Sequence, residues 1–443
     1  MRIQLSEHFT YRKLLRFTLP SVIMMVCTSI YGVVDGVFVS NFVGSDAFAA
    51  VNLIMPFLMV LGAVGFMLGT GGSALVAYTL GAGNEKRANE IFSLLIYVLI
   101  GVGAVFTIGG IAFLTPMSRL LGADETMLPV CVSYGRIVLL GLIPYMLQNT
   151  FQSFLVTAER PQLGLYVTIA AGVTNIALDA LFVAVLQWGA EGAALATILS
   201  QFVGGAIPLV YFLRPNSSKL RLGRTAFHGR ALLKACANGS SEFMTNISMS
   251  VVNMLYNWQL MRLMGSGGVA VYGVIMYVNF IFIAIFLGYS MGSAPIVGYH
   301  YGAGNRAELR GLLRKSLCII TVMSVVLTAA ALLLARPLSM IFMSKEATLL
   351  PVTIRAFSIY SLSFLMAGYN IYASSFFTAL NDGFISALIS FARTLVFQVA
   401  AVIVLPVLWD IDGVWAAVVA AETLALLLSA ACLVGKRKKY GYA

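Results

Sequence analysis

The residues of this sequence best suited to ion chemistry are a few charged side chains inside long apolar stretches. Four are acidic and one is basic: Asp35, Asp179, Glu242, Glu422 and Arg393. A charged side chain at the centre of a bilayer costs about 2.5–3.5 kcal/mol, so such residues usually face a protein interior and mark a pathway. These five positions are therefore the first candidates for function.

Two polar residues accompany the acidic pair of the N-terminal half. Asn175 precedes Asp179 by one helical turn on the same helix face, and Thr197 lies early in the next apolar stretch. With a rise of about 1.5 Å per residue, the predicted helices place all of them, Asp35 included, at similar heights. This all-oxygen set suits a hard cation such as Na⁺, with Asp35 and Asp179 as its charged ligands. The same carboxylates could instead hold a proton, because two adjacent buried acids cannot both ionise cheaply.

The charged residues of the C-terminal half allow two interpretations. Glu242 and Arg393 each lie about nine residues into a predicted span that starts on the same membrane side, so they share a depth. They could form a buried ion pair that neutralises both. Alternatively, Glu242 faces a cleft and attracts a cationic substrate. Glu422 could compete with Glu242 for Arg393.

Methionine and aromatic residues are plentiful, with 20 Met, 28 Phe and 19 Tyr. A pliable wall of such side chains suits bulky, flat cations through dispersion and cation–π contacts. Ordinary helix packing is the alternative explanation for any single ring. Besides Glu242, the residues predicted to line a substrate cleft are Tyr31, Tyr256, Met276 and Tyr369.

A proline interrupts the first apolar stretch. Pro20 removes a backbone hydrogen bond below Asp35 and should weaken or kink that helix. We expect it to act as a hinge that couples ion binding to movement.

The composition indicates that lipid is the solvent of this chain. Hydrophobic residues make up 60% of its 443 residues and charged residues only 10%, whereas a soluble domain carries about 25% charged residues. Stretches with the roughly 20 apolar residues of a spanning helix recur, and the alternation of a membrane barrel is absent. We predict an all-α polytopic membrane protein with twelve transmembrane helices at 14–39, 48–78, 91–114, 130–156, 163–186, 190–213, 232–263, 269–297, 312–335, 351–380, 384–407 and 412–434.

The basic residues indicate how these spans are oriented. The net charge is +11, and 21 of the 28 Lys and Arg residues fall in segments on the side of the N-terminus. Because positive residues remain cytoplasmic, we predict a multi-pass protein of the cell inner (plasma) membrane with both termini in the cytoplasm. Membrane topology accounts for the basic charge, so we expect the lipid bilayer and no nucleic acid as a partner.

A repeat with an offset of 221 residues divides the chain. The motif Tyr78-x-x-Gly81-Ala82-Gly83-Asn84 returns as Tyr299-x-x-Gly302-Ala303-Gly304-Asn305, and other matches keep the same register. We predict two pseudo-symmetric six-helix bundles of equal orientation: an N-terminal lobe at 1–221, which holds the cation site, and a C-terminal lobe at 222–443.

No pattern typical of catalysis accompanies these residues. The "GAGN" loops lack the Lys-Ser/Thr of a phosphate-binding loop and are predicted to end helices. The five cysteines form no CxxC pair and the three histidines lie far apart, which argues against a zinc site. We predict no enzyme activity and no cofactor apart from a coupling ion. A channel is also disfavoured, because no filter-like loop is present.

The combined pattern resembles the multidrug and toxic compound extrusion (MATE) family, prokaryotic branch. The resemblance rests on the twelve spans, the paired GAGN loops, Pro20…Asp35-Gly36-Val37-Phe38-Val39, and Asn175-x-x-x-Asp179 followed by Thr197. It implies that the matching aspartates, asparagine and threonine form the cation site of the N-terminal lobe. It also implies export of cationic drugs or dyes by Na⁺ or H⁺ antiport, and we expect a monomer.

The alternative function is a flippase for lipid-linked saccharides, which shares the superfamily fold. Such flippases often add two spans and line their cleft with several cationic residues. Twelve spans, with Arg393 as the main intramembrane basic residue, favour the exporter. The other branch of the MATE family uses acids of the C-terminal lobe at positions that Glu242 does not clearly match.

Overall fold

The computed structural model describes residues 3–43, 45–343 and 348–442, and within this part of the chain all regular elements are helical. Six-residue π-helical turns follow two of the helices, at Ala180–Val185 and Ala392–Phe397. The α-helices are α1 (Tyr11–Phe42), α2 (Ser45–Gly81), α3 (Glu85–Leu120), α4 (Leu128–Leu140), α5 (Leu142–Thr157), α6 (Pro161–Asp179), α7 (Gly189–Leu213), α8 (Gly229–Met264), α9 (Ser266–Gly302), α10 (Arg306–Met343), α11 (Leu349–Ser361), α12 (Phe364–Ala379), α13 (Gly383–Phe391) and α14 (Gln398–Tyr440).

The length and hydropathy of these helices identify them as membrane spans. Among the described residues, eight helical segments are long and apolar enough to cross a bilayer, and two bent pairs raise this to ten. One of the eight, Gly383–Tyr440, has 58 residues, nearly three times the roughly 20 that a bilayer requires, and its backbone leaves the helical conformation at Trp409 and Asp410. The more polar α8, with 36 residues, is also long enough. The all-α membrane fold is confirmed, and twelve spans fit these helices.

Two of the spans are bent pairs of helices rather than the single helices predicted at 130–156 and 351–380. The axis turns by 52° between α4 and α5 and by 44° between α11 and α12. Gly141 lies at the first bend, where a Cβ atom would stand only 2.3 Å from Ile198 of α7. Leu362, 221 residues later, lies at the second bend. The offset of the repeat therefore also relates the bends.

The same offset relates two further pairs of backbone turns. Gly83 and Gly304 adopt φ angles of 80° and 69° in the GAGN loops, a conformation that glycine reaches without steric cost. Gly189 and Asp410 have φ angles of 62° and 46° before the last span of each half. Chain reversals thus occur at equivalent positions in the two halves.

The two halves of the chain pack closely at the GAGN loops. A Cβ atom at Gly81 would lie 1.9 Å from the carbonyl oxygen of Tyr299, and one at Gly302 would lie 2.0 Å from that of Tyr78. The rings of Tyr78 and Tyr301 meet between the loops, with centroids 5.5 Å apart. The protein is therefore closed at this end, the GAGN face.

Candidate functional site

Three helices bring together the four residues predicted to form the ion site. Asp35 lies on α1, Asn175 and Asp179 lie on α6, and Thr197 lies on α7. The carboxyl group of Asp35 lies close to the side chains of the other three. Asp179 is fully buried and ends α6, and the π-helical turn Ala180–Val185 starts directly after it. Such π-helical turns occur frequently at functional sites.

Several buried oxygen atoms of this cluster have no hydrogen-bond partner within the described part of the chain. They are Asp35 Oδ1, Asn175 Oδ1 and both carboxylate oxygens of Asp179. Leaving a buried polar atom unpaired costs about 1–3 kcal/mol, and more for a charged group. Two buried carboxylates also repel one another. A proton or a cation shared between them would relieve both costs, and the oxygen-only donor set fits Na⁺.

The described residues do not offer a transition metal a set of ligands comparable to the oxygen cluster. Among the described residues, no group of three or more His, Cys, Asp or Glu side chains is arranged to hold a metal ion. The site is instead a pair of acids completed by an amide and a hydroxyl. Such neutral oxygen ligands suit hard, weakly charged ions.

Tyr31, predicted to line a substrate cleft, lies next to the ion site. It precedes Asp35 by one turn of α1, and Gln148 of α5 donates a hydrogen bond from Nε2 to Tyr31 Oη at 3.5 Å. The hydroxyl of Tyr277, on α9 of the other half, would lie 3.7 Å from a Cβ atom at Gly36. Gln148 was not among the predicted site residues, although an amide inside an apolar span is a signal that could have indicated it.

Arg393 pairs with Glu422 of α14, which settles the choice between its two candidate partners. Its Nε atom lies 2.8 and 3.0 Å from the two carboxylate oxygens of Glu422. Asn370 of α12 donates to Glu422 Oε2 at 2.8 Å, and Ser429 donates to Asn370 Oδ1 at 3.0 Å. The arginine charge is therefore neutralised inside a hydrogen-bonded network of the C-terminal half.

Glu242 lies on α8 and does not form the ion pair with Arg393 that their common depth suggested. The charge of Arg393 acts on Glu242, but the direct contact of Arg393 in the described structure is with Glu422. Depth along a helix could not distinguish these partners, because it does not specify the direction in which a side chain points. Glu242 therefore lies near Arg393 without a direct contact, and the charge of Arg393 is already neutralised by Glu422.

Of the three other predicted cleft residues, Tyr256 and Met276 belong to one core of the C-terminal half, and Tyr369 packs against a different core. Tyr256 is 1% exposed and stacks on Tyr272, with ring centroids 4.9 Å apart. Met276 packs against the same core of the C-terminal half. Tyr369 forms a hydrogen bond of 2.6 Å with Thr321 on α10. The structure therefore does not gather these side chains into one continuous wall.

The predicted hinge residue lies within an unbroken helix, because α1 continues through Pro20. Directly after the proline, the backbone of α1 packs against α9, where a Cβ atom at Gly288 would lie 2.5 Å from Cα of Val22. A hydrogen bond of 3.2 Å from Ser29 Oγ to the carbonyl oxygen of Phe280 joins the same helices further along. Movement of α1 would therefore disturb the junction between the halves.

Comparison with known proteins gives matches over both halves. The sequence model of the MatE family matches residues 20–181 and 243–404. The multidrug export protein MepA of Staphylococcus haemolyticus is 22% identical over 425 residues, which cover 96% of this chain and 93% of the relative. MepA of Staphylococcus saprophyticus is 23% identical and is covered over 92% of its length.

Solved structures match the fold along almost the whole chain. A MATE crystal structure in complex with MaL6 gives a TM-score of 0.92 at 22% identity, covering 98% of this chain and 97% of that chain. An outward-facing multidrug resistance MATE family transporter of the MOP superfamily gives a TM-score of 0.91 at 23% identity, covering 98% and 96%. These likenesses establish the fold.

Proposed function

The chain belongs to the MatE family, and on that premise we propose that it is a secondary active multidrug exporter that antiports organic cations against Na⁺ or H⁺. The curated relatives named above are multidrug export proteins. The observation that carries the antiport proposal is the cluster of unpaired buried oxygens at Asp35, Asn175 and Asp179.

The proposed site alternates between two states, one with the coupling ion bound and one with the ion released. With Na⁺ or a proton bound, the Asp35–Asp179 pair carries less negative charge and its oxygens gain a partner. When the ion leaves, two acids remain out of water, and their repulsion favours a different arrangement of the helices that carry them. The ion thereby biases a conformational equilibrium, as coupling requires.

The helix α1 can pass this bias from the site to the rest of the molecule. It carries Asp35, and it also packs along α9 of the other half through Val22 and Ser29. We propose that a change of α1 at Pro20 alters this packing and lets the two lobes, 1–221 and 222–443, rock about the ion site. Alternating access then follows from a rearrangement of two lobes in the same orientation.

The proposed substrates are bulky organic cations such as drugs or dyes. Glu242 has no ion pair with Arg393 in the described structure and so remains available to attract positive charge. Tyr31 lies beside Gln148 at the ion site, where an aromatic ring can stack on a flat cation. Tyr256, Met276 and Tyr369 would contribute only after rearrangement.

We also propose a membrane orientation and an oligomeric state for the protein. The protein is a monomer in the inner (plasma) membrane, and both termini and the GAGN face are cytoplasmic. The bias of positive charge supports this orientation. The closed GAGN face would then separate the ion site from the cytoplasm.

Ethidium efflux from membrane vesicles tests the proposed function. Sodium and pH gradients are imposed one at a time, with vesicles that lack the protein as the control. We expect one of the two gradients to drive ethidium efflux. Efflux that responds to neither gradient would contradict the antiport proposal.

A further inference from the structure

A cavity of about 540 Å³ lies between α1, α6 and the end of α7, on the side of the chain termini. Its lining includes Arg16 and Pro20 of α1, Arg160 before α6, and Tyr211 of α7. Arg16 is separated from Asp35 by about 28 Å along α1, at 1.5 Å per residue. The cavity is therefore distinct from the ion site.

The charged side chains that line this cavity are mostly basic. Arg16 and Arg160 contribute positive charge, and an adjoining cavity of about 480 Å³, which shares Tyr211, adds Arg214. Glu159 also lines the first cavity, and its Oε1 atom accepts a hydrogen bond of 2.9 Å from the backbone N–H of Leu5, but the three arginines outnumber this one carboxylate. Arginine is well suited to bind phosphate, because its planar guanidinium offers paired donors.

Two buried polar groups in the lining have no partner in the described part of the chain. They are the Nε group of Arg160 and the hydroxyl of Tyr211. The guanidinium of Arg160 is held from its other end, because Nη2 donates to Ser217 Oγ. Buried donors are normally satisfied by protein, water or ligand. Their position in a basic cavity indicates that a phosphate oxygen would satisfy them.

Apolar side chains flank the basic cavity on its membrane side. Ile207 and Val210 of α7 line the adjoining cavity, and both are exposed on the protein surface. Leu19 of α1, next to Pro20, is also exposed. A basic pocket that opens onto an apolar surface between membrane helices fits a molecule with an anionic head and acyl chains. A free phosphate ion would leave this apolar surface unused.

We propose that this cavity binds the phosphate-containing headgroup of an acidic membrane lipid. Arg160 and Tyr211 donate to the phosphate, Arg16 and Arg214 supply surrounding positive charge, and the acyl chains lie along α1 and α7. Because Pro20 is part of the lining, a bound lipid touches α1 at its proline. The proposal does not depend on the transported substrate or on the coupling ion.

Titration of the purified full-length protein with phosphatidylglycerol, followed by native mass spectrometry, tests this site. Phosphatidylcholine serves as the zwitterionic comparison. We expect phosphatidylglycerol to bind more tightly, and both Arg160→Gln and Tyr211→Phe to weaken its binding about five- to tenfold. Arg310→Gln is the matched control, because Arg310 is an exposed arginine of α10 outside the cavity lining.

Three results would overturn the proposal. Equal binding of the two lipids would remove the role of the acidic headgroup. Unchanged phosphatidylglycerol binding in both Arg160→Gln and Tyr211→Phe, or an equal loss in Arg310→Gln, would remove the site. Complete displacement of the lipid by millimolar inorganic phosphate would assign the cavity to a soluble phosphate instead. The Tyr211→Phe variant retains the ring, so a folding defect in Arg160→Gln would not obscure the outcome.

Discussion

The carbonyl oxygen of Tyr78 lies 2.0 Å from the position that a Cβ atom would occupy at Gly302, so the two halves meet backbone to backbone. The equivalent pair in the repeat, Gly81 and Tyr299, makes the reciprocal contact at 1.9 Å. Any residue larger than glycine must separate the halves here, because the opposing atom is backbone and cannot rotate away. Closure of the GAGN face depends on this pair of glycines.

Replacing Gly302 by alanine should therefore open the GAGN face. Overpacking costs about 1–3 kcal/mol, which shifts a two-state equilibrium by about 5- to 150-fold. Half-buried Cys236 on α8 can report this opening, because it lies next to a close contact between the halves. The carbonyl oxygen of its neighbour Ala235 would lie 2.1 Å from a Cβ atom at Gly71 of α2, which belongs to the N-terminal half. We expect faster maleimide labelling of Cys236, measured by peptide mass spectrometry.

A glycine with free space around it provides the control for this variant. A Cβ atom at Gly101 of α3 would meet no atom within 4 Å, so Gly101→Ala should leave the labelling of Cys236 unchanged. Exposed Cys318 provides the internal reference. Identical Cys236 labelling in Gly302→Ala and Gly101→Ala would show that the contact does not hold the halves together.

The buried Arg393–Glu422 pair should stabilise the C-terminal half only as a pair. Removal of one partner leaves an uncompensated buried charge, which costs about 3–5 kcal/mol. Arg393→Met should therefore lower the melting temperature in detergent, and Arg393→Met combined with Glu422→Met should recover part of the loss. A loss in the double variant that equals the sum of the losses in Arg393→Met and Glu422→Met would exclude this coupling.

An exposed ion pair in the same half provides the comparison. Arg355 Nε donates to Asp412 Oδ1 at 3.0 Å, with the arginine side chain 70% exposed. Surface pairs contribute about 0–1 kcal/mol. Arg355→Met should accordingly shift the melting temperature much less than Arg393→Met.

The proline of α1 should matter for transport more than for folding. Alanine at position 20 restores the missing backbone donor and stiffens α1. We expect Pro20→Ala to fold normally and to lose most gradient-driven ethidium efflux. Pro116→Ala in α3 makes the same replacement in a helix that carries none of the ion-site residues and should retain efflux. Unimpaired coupled efflux in Pro20→Ala would remove the hinge from the account.

Much of the fold could be predicted because apolar length and the 221-residue offset are properties of the sequence itself. The similar heights of Asp35, Asn175, Asp179 and Thr197 followed from helical rise alone. The bends at Gly141 and Leu362 were not predicted, because no pattern in the sequence indicated the axis direction on each side of them. The need for glycine at position 141 is evident only from its close contact with Ile198 of another helix.

The contact partner of a side chain could be predicted less well than its depth in the membrane. Arg393 and Glu242 share a depth, yet the direct ion-pair partner of Arg393 is Glu422 of α14. Tyr256 was expected at a cleft and is instead stacked on Tyr272. The cavity at Arg160 depends on a loop, a linker and three helices that are distant in sequence. Such contacts arise from tertiary packing and leave no local signal.

The central claim is that Asp35 and Asp179 jointly bind the coupling ion, and ethidium efflux by amide variants in proteoliposomes tests it most directly. Asp35→Asn and Asp179→Asn should each reduce gradient-driven efflux at least tenfold, equivalent to about 1.4 kcal/mol, while ethidium binding persists. Asp410→Asn is the matched control, since Asp410 is exposed at a kink with φ of 46° that asparagine tolerates. Normal gradient-driven efflux in both Asp35→Asn and Asp179→Asn would contradict the account.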